Sequence, residues 1–270
     1  MSDRVGDLLT AGSIASSDAR VLLREVLQLT DAQIAAYPER ELNALQLRQY
    51  RGLVERRRAG EPVAYLTGER EFYSLAMKIT PAVLIPRPET ELLVDLALQR
   101  APQAGEFRVL DLATGSGCIA IAIARAHLRA QVTATDISEA ALTLAGENAG
   151  RHGAALELIK SDWFEALDDR RFEVIVANPP YLAADDHHLD EGDLRFEPRQ
   201  ALVAGPSGYE CIEKIVERSP RHLASGGWLF FEHGHDQAAR CRDRLARAGF
   251  REIFSARDLA GIERVSGAQV

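Results

Sequence analysis

The 270 residues suffice for one large domain plus a small one, or for a single large α/β unit, and a 46% hydrophobic content supports a packed core. The formal charge is -8, and the first 70 residues balance ten Lys/Arg against ten Asp/Glu, so the acidic excess lies between Glu71 and Val270 and argues against stable binding of nucleic acid through a basic face. Cys118, Cys211 and Cys241 stand far apart, which fits a reducing compartment, while a charged start at Met1-Ser2-Asp3-Arg4 and the lack of any run near the roughly 18 apolar residues that cross a bilayer predict a cytoplasmic protein with no membrane contact.

From Val5 to about Gly60 apolar residues recur at steps of three and four, as in Val21, Leu22, Val26 and Leu27, which is helical periodicity. Asp18 and Asp31 are candidate N-caps, and Pro38 divides the pattern into several short helices. Arg56-Arg57-Arg58 reads as the solvated C-terminal end of a helix, where cations complement the dipole. Between Glu61 and Pro88, aromatic and apolar residues alternate with prolines, predicting a short hairpin or an extended linker. Pro88-Glu89-Thr90-Glu91 then opens a helix that runs to about Arg100.

After Arg108 the order is strand, helix, strand, helix, over Val109 to Ala113, Ile119 to Leu128, Val132 to Asp136 and Glu139 to His152. Further strands are predicted at Leu156 to Lys160, Val174 to Ala177 and Trp228 to Glu232. Short buried runs joined through helices require crossovers, hence a parallel sheet. Arg251 to Ala256 and Glu263 to Val270 read as a closing antiparallel hairpin. The expected fold is therefore α/β, a doubly wound Rossmann-like sheet with a C-terminal antiparallel hairpin and a small helical N-terminal domain. The expected divisions are 1–75, 76–107 and 108–270.

Two turns carry the chemistry. The first predicted strand runs into Asp111-Leu112-Ala113-Thr114-Gly115-Ser116-Gly117 and a helix follows directly, so glycines bring the backbone close to a ligand at a helix N-terminus. Asp136 closes the next strand, where such folds place an acid on ribose hydroxyls. Ala120 occupies the third position of a dinucleotide fingerprint, which tolerates alanine, so this spacing leaves a nicotinamide ligand open. Ser161-Asp162-Trp163-Phe164 follows another strand, and Trp163 could stack on an adenine ring or sit under a loop as core.

The second turn is Asn178-Pro179-Pro180-Tyr181. Two prolines remove two backbone donors and stiffen the loop, so the Asn178 side-chain oxygen and the Pro179 carbonyl are rigid acceptors. An amide or exocyclic amino nitrogen has a delocalised lone pair and two in-plane hydrogens. Those two acceptors can fix it with its lone-pair face toward the methyl of a sulfonium donor, while Tyr181 covers the planar group. Methylation acidifies the nitrogen, so no base is needed before attack.

Led by these two turns, the chain resembles the protein-(glutamine) methyltransferases that modify the Gly-Gly-Gln motif of bacterial peptide-chain release factors. The likeness extends through Pro62 to Gly68, Glu71-Phe72, Leu84 to Glu91, Ser161 to Phe164, Arg195 to Pro198, Glu232-His233-Gly234 and Glu263-Arg264-Val265. It implies S-adenosyl-L-methionine as cofactor, bound by Ala113, Thr114, Gly115, Ser116, Gly117, Asp136, Trp163 and Asn178. It also implies a glutamine held by Asn178, Pro179, Pro180 and Tyr181, with Asn178, Pro179 and Tyr181 catalytic, and release factors as protein partners, contact with the ribosome staying open. The Asn-Pro-Pro-Tyr turn is shared with adenine and guanine amino methyltransferases, the alternative reading. The family usually has glycine where this chain has Ala113, and a negative φ there, harmless to alanine, is the expectation.

His187-His188 and His233-Gly234-His235 are read as a polar loop and a strand-end turn rather than metal ligands. Arg87 is placed either at the pocket mouth or in a surface ion pair with Glu89 or Glu91. Asp185 to Asp193 is an acidic loop, either solvated or suited to a basic protein partner.

Overall fold

The computed structural model describes residues 3–102 and 104–270. They fall into two compact units, one holding residues up to Glu69 together with Asp190–Phe196, the other Arg70–Leu189 and Glu197–Val270.

The first unit is helical: α1 (Val5–Thr10), α2 (Ser16–Leu27), α3 (Asp31–Ala36), α4 (Ala44–Arg58) and α5 (Val63–Thr67). Its core gathers Val5, Leu22, Leu23, Leu27, Ile34, Leu47, Tyr50 and Leu66, the positions that the three- and four-residue spacing selects. The caps differ from expectation. Thr30 and Asn43 start α3 and α4 with reciprocal capping boxes through Gln33 and Gln46, whereas Asp31 is already helical and Asp18 lies inside α2. Asp18 instead accepts from Arg57 at 2.7 Å, and Arg57 also donates to Asp193 at 3.1 Å. So Arg57 is half-buried and paired rather than solvated, and one end of the acidic loop is spent on it. Helix α5 forms where an extended linker was expected, because Pro62 pre-sets its start and Gly68, at φ 73°, ends it in the left-handed region.

A hairpin, β1 (Glu69–Phe72) and β2 (Leu75–Lys78), follows, and from Arg70 onward it belongs to the second unit. A 3-10 turn over Pro88–Thr90 leads into α6 (Glu91–Arg100), and then come β3 (Phe107–Leu112), α7 (Cys118–Ala126), β4 (Ala130–Asp136), α8 (Glu139–His152), β5 (Leu156–Lys160) and β6 (Phe172–Ala177). After a short β7 (Leu182–Ala183), α9 (Arg199–Leu202) and β8 (Val203–Gly205), the fold ends with α10 (Glu210–His222), β9 (Leu223–Glu232), α11 (Ala238–Arg247), β10 (Arg251–Arg257) and β11 (Glu263–Gln269). The main sheet has the order β10-β11-β9-β6-β3-β4-β5. Its members β5, β4, β3, β6 and β9 are parallel, and β11 and β10 close it antiparallel, as the tail pattern predicts.

Parallel strands are covered on both faces, which is why β3 and β6 read as nearly unbroken apolar runs. Alternation still sorts the side chains: Leu110, Leu112, Ile175, Ala177, Leu229 and Phe231 share one core with Ile212 and Ile215 of α10 and Cys241 and Leu245 of α11. Strand β3 pairs with β4 on one side and β6 on the other, so the chain winds outward in both directions from it. Beyond the carboxyl ends of β3 and β6, two diverging crossovers leave a crevice, the place where doubly wound sheets bind ligands.

Candidate active site

That crevice holds a cavity of about 360 Å³, within the roughly 300–1,000 Å³ of small-molecule sites. Ala113, Thr114, Gly115 and Ser116 line it from the turn after β3, Asp136 from the end of β4, Asp162 and Trp163 from the end of β5, and Asn178 and Pro180 from the end of β6. Register explains the convergence, since Leu112 lies beside Thr135 and Ala177.

The glycine turn is pinned from several sides. Thr114 N–H donates to the Thr135 carbonyl at 2.9 Å, Gly115 N–H to Asp136 Oδ2 at 2.9 Å, and the Thr114 hydroxyl to Asp111 Oδ2 at 2.6 Å. Asp111 is fully buried with Oδ1 unpaired, and burial pushes its carboxyl up to about 7 against the Thr114 hydrogen bond. Burial also raises the Asp136 carboxyl, opposed by the N–H groups of Ser138 and Gly115. Gly117 does not line the cavity. Its backbone at φ 81° caps α7, and a Cβ there would meet the Ala145 Cβ at 3.0 Å, so glycine serves the close approach of α7 and α8.

Ala113 departs from expectation. Its φ is 56°, in the left-handed region, where an L-residue with a Cβ is strained by roughly 1–2 kcal/mol. The sign of φ is set by the sharp reversal from β3 into the turn, which alanine does not announce. Ala113→Gly is therefore expected to raise stability by about 1 kcal/mol, seen as a higher denaturant midpoint at unchanged slope. An equal or lower midpoint would mean that the turn carries the methyl without strain. Trp163 shares this conformation at φ 53°, and its ring both lines the cavity and packs against the core.

The Asn-Pro-Pro-Tyr loop is fixed by partners that local spacing does not reveal. Asn178 Nδ2 donates to Thr90 Oγ1 at 3.1 Å, while Asn178 Oδ1 is buried without a protein partner. Gln237 donates to the Tyr181 carbonyl at 3.1 Å and to the Gly208 carbonyl at 3.2 Å, tying the loop to the segment before α10. Gly208 must lack a side chain, since a Cβ would lie 2.8 Å from the Tyr181 carbonyl oxygen. Tyr181 lies outside the cavity lining and turns its phenol toward Glu232, and burial raises that phenol's pKa. Pro179 is buried and also absent from the lining.

Arg87 pairs with Glu197 rather than Glu89 or Glu91, and the buried Glu197 also accepts the Ile85 N–H at 3.0 Å. This clamp holds the segment that puts Leu84 and Pro86 into the cavity wall. Thr90, Glu197, Glu232 and Gln237 escape a reading by local motif because each acts on a segment distant in sequence. Glu232 alone carried a local signal, an acid closing the apolar, buried run Trp228 to Phe231, whereas Thr90, Glu197 and Gln237 sit among polar or exposed neighbours. Among the described residues, the His/Cys/Asp/Glu group close enough to share an ion is Asp186, His187 and His188. It is explained by a turn, with Asp186 Oδ1 accepting the His188 N–H at 2.9 Å and facing its ring Nδ1 at 2.7 Å.

These residues suit an adenosyl sulfonium compound: a half-buried acid beside the glycine turn for a ribose, an aromatic wall at Trp163, and at Asn178 a buried side-chain oxygen without a protein donor. Fold and crevice together define a methyltransferase that uses S-adenosylmethionine, and the Methyltransferase small domain model matches residues 89–193. The PrmC N-terminal domain model matches residues 5–68. The release factor glutamine methyltransferase of Bordetella pertussis is 47% identical, covering 97% of this chain and 97% of its own. That of Burkholderia pseudomallei is also 47% identical, over 98% and 95%. The chain belongs to the release factor glutamine methyltransferase family. Among solved structures, a methyltransferase from Pyrococcus furiosus shares the fold, with a TM-score of 0.56, 18% identity, and coverage of 81% of this chain and 96% of that one.

Proposed function

We propose that the protein transfers a methyl group from S-adenosylmethionine to the side-chain amide nitrogen of the glutamine in the Gly-Gly-Gln motif of peptide-chain release factors. The observation that carries this reading is the Asn178 side-chain oxygen, buried in the wall of the ligand cavity with no protein hydrogen to accept. A buried acceptor without a donor costs about 1–3 kcal/mol, a cost that an incoming N–H removes.

Ala113, Thr114, Gly115, Ser116, Asp136, Trp163 and Asn178 hold the cofactor, which supplies an electrophilic methyl on a sulfonium, while Gly117 serves by letting α7 close on α8. Asn178 Oδ1 accepts one amide hydrogen and the Pro179 carbonyl, which lies outside the cavity lining and must be reached from it, accepts the other, keeping the nitrogen flat with its lone-pair face toward that methyl. Pro180 stiffens the loop, and Tyr181 supports it from behind. Orientation supplies the rate enhancement, and no histidine lines the cavity among the described residues, as a reaction that loses its proton after attack permits.

The helical region within 1–75 recruits the release factor, 76–107 links it to the methyltransferase domain, and 108–270 carries the cofactor and the reacting loop. No helix of the described residues is long and apolar enough to cross a membrane, and a cytoplasmic site of action is part of the proposal. The amino methyltransferase alternative loses ground to the acidic charge of Glu71 to Val270. Incubation with a release factor and methyl-labelled cofactor should place the label on the Gly-Gly-Gln glutamine, located by peptide mass spectrometry. Label on RNA, or none on the factor, would refute the assignment.

A further inference from the structure

A buried chain of hydrogen bonds runs behind Asn178. Its Nδ2 donates to the Thr90 oxygen at 3.1 Å, the Thr90 hydroxyl donates to Glu232 Oε2 at 2.6 Å, and the Tyr181 phenol donates to Glu232 Oε1 at 3.5 Å. Thr90 and Glu232 are each 2% exposed, and they come from the turn before α6 and the end of β9. A hydroxyl has one hydrogen, and an ionised carboxylate only accepts. The hydrogen of Thr90 is thus committed to Glu232, and its oxygen is left to accept. The Asn178 amide must then turn its NH2 toward Thr90, which leaves Oδ1 as the buried atom without a protein partner.

Resting on the function proposed above, we infer that Thr90 and Glu232 are positioning residues that set the polarity of the Asn178 amide, and so make the pocket select a side chain with two N–H hydrogens over one with none. Turned over, Asn178 would present hydrogens instead of a lone pair, and the pocket would accept a carboxylate. The pair therefore discriminates glutamine from glutamate, two side chains of nearly equal shape that differ in what they can donate. Thr90 and Glu89 from the turn before α6, Tyr181 from the loop after β6, Arg264 from β11 and Cys118 from α7 face Glu232. Burial pushes its carboxyl up to about 7, so an assay at about pH 8 keeps it ionised.

The test compares wild type, Thr90→Val and Thr90→Ser on a release factor, with the same factor carrying glutamate in place of the target glutamine as competitor. Thr90→Val is expected to lower kcat by about tenfold or more, to leave the dissociation constant for S-adenosylmethionine within about threefold, and to let the glutamate competitor inhibit about tenfold better. Thr90→Ser keeps the hydroxyl and should stay within about threefold of wild type in all three. If Thr90→Val fails to fold, Glu232→Gln serves: its amide can donate to Thr90, freeing that hydroxyl to meet the Asn178 oxygen, and the same fall in kcat and rise in inhibition should follow. Native kcat and native exclusion of the competitor in the folded variant overturn the inference. So does equal loss in Thr90→Val and Thr90→Ser, which would trace the effect to packing. Failure of the wild type to methylate the factor sinks the proposed function and this inference with it, whereas wild-type transfer with an unaltered Thr90→Val sinks this inference alone.

Discussion

Replacing Asn178 by alanine is expected to cut kcat by about 10²–10³-fold while changing the dissociation constant for S-adenosylmethionine only a few-fold. Asn178 lines the cavity, its side-chain oxygen is buried with no protein donor, and its nitrogen is already taken by Thr90. Truncation removes an acceptor for the reacting nitrogen and leaves a void that water can enter. The amide then gains rotational freedom, and its weak lone pair faces the donor methyl for a small fraction of the time. Because the lost contact orients rather than captures, KM for the release factor should rise less than kcat falls. Calorimetry with the cofactor and single-turnover methylation separate the two quantities. Equal losses in cofactor binding and turnover would show that Asn178 chiefly holds the cofactor.

Asp136→Ala should give the opposite pattern, weakening cofactor binding by about 100-fold or more and leaving the rate at saturating cofactor within about tenfold of native. Asp136 has two tasks in one place. Its Oδ2 accepts the Gly115 N–H and its Oδ1 the Ser138 N–H, both at 2.9 Å, so it pins the glycine turn and the start of α8. Each carboxylate oxygen keeps a second lone pair for a ribose hydroxyl, and hydrogen bonds to a charged group contribute about 1.5–3 kcal/mol each. Alanine removes the ligand contacts and orphans two backbone donors, so lower thermal stability should accompany the loss of affinity. Unchanged cofactor affinity would remove Asp136 from the site.

The parallel sheet was legible because both faces of β3 and β6 are covered, and nearly unbroken apolar runs record that burial, while β4 keeps Val132, Ala134 and two buried threonines. Helix α10 was not among the predicted elements, although its buried positions Ile212, Ile215, Val216 and Ser219 keep helical spacing. Asn178 and the glycine turn could be found because a glycine pair and a Pro-Pro step have consequences for the backbone they sit in. The supports of the site were not legible in the same way. Thr90 meets Asn178 across 88 positions, Glu197 meets Ile85 across 112, and Glu232 meets Thr90 across 142, and no local pattern encodes such pairings. The Ala113 backbone is a related case, since the sign of its φ follows from how the turn closes over β4 rather than from the residue itself. Helix α5 was hidden by brevity: five residues between Pro62 and Gly68 are too few to show a period.

A crystal structure of the protein with S-adenosylhomocysteine and a Gly-Gly-Gln peptide tests the central claim most directly. The account predicts the glutamine amide nitrogen donating one hydrogen to Asn178 Oδ1 and the other to the Pro179 carbonyl, with the cofactor sulfur in line beyond its face. A glutamine side chain bound elsewhere, or one whose carbonyl rather than nitrogen meets the Asn178 side chain, would contradict it.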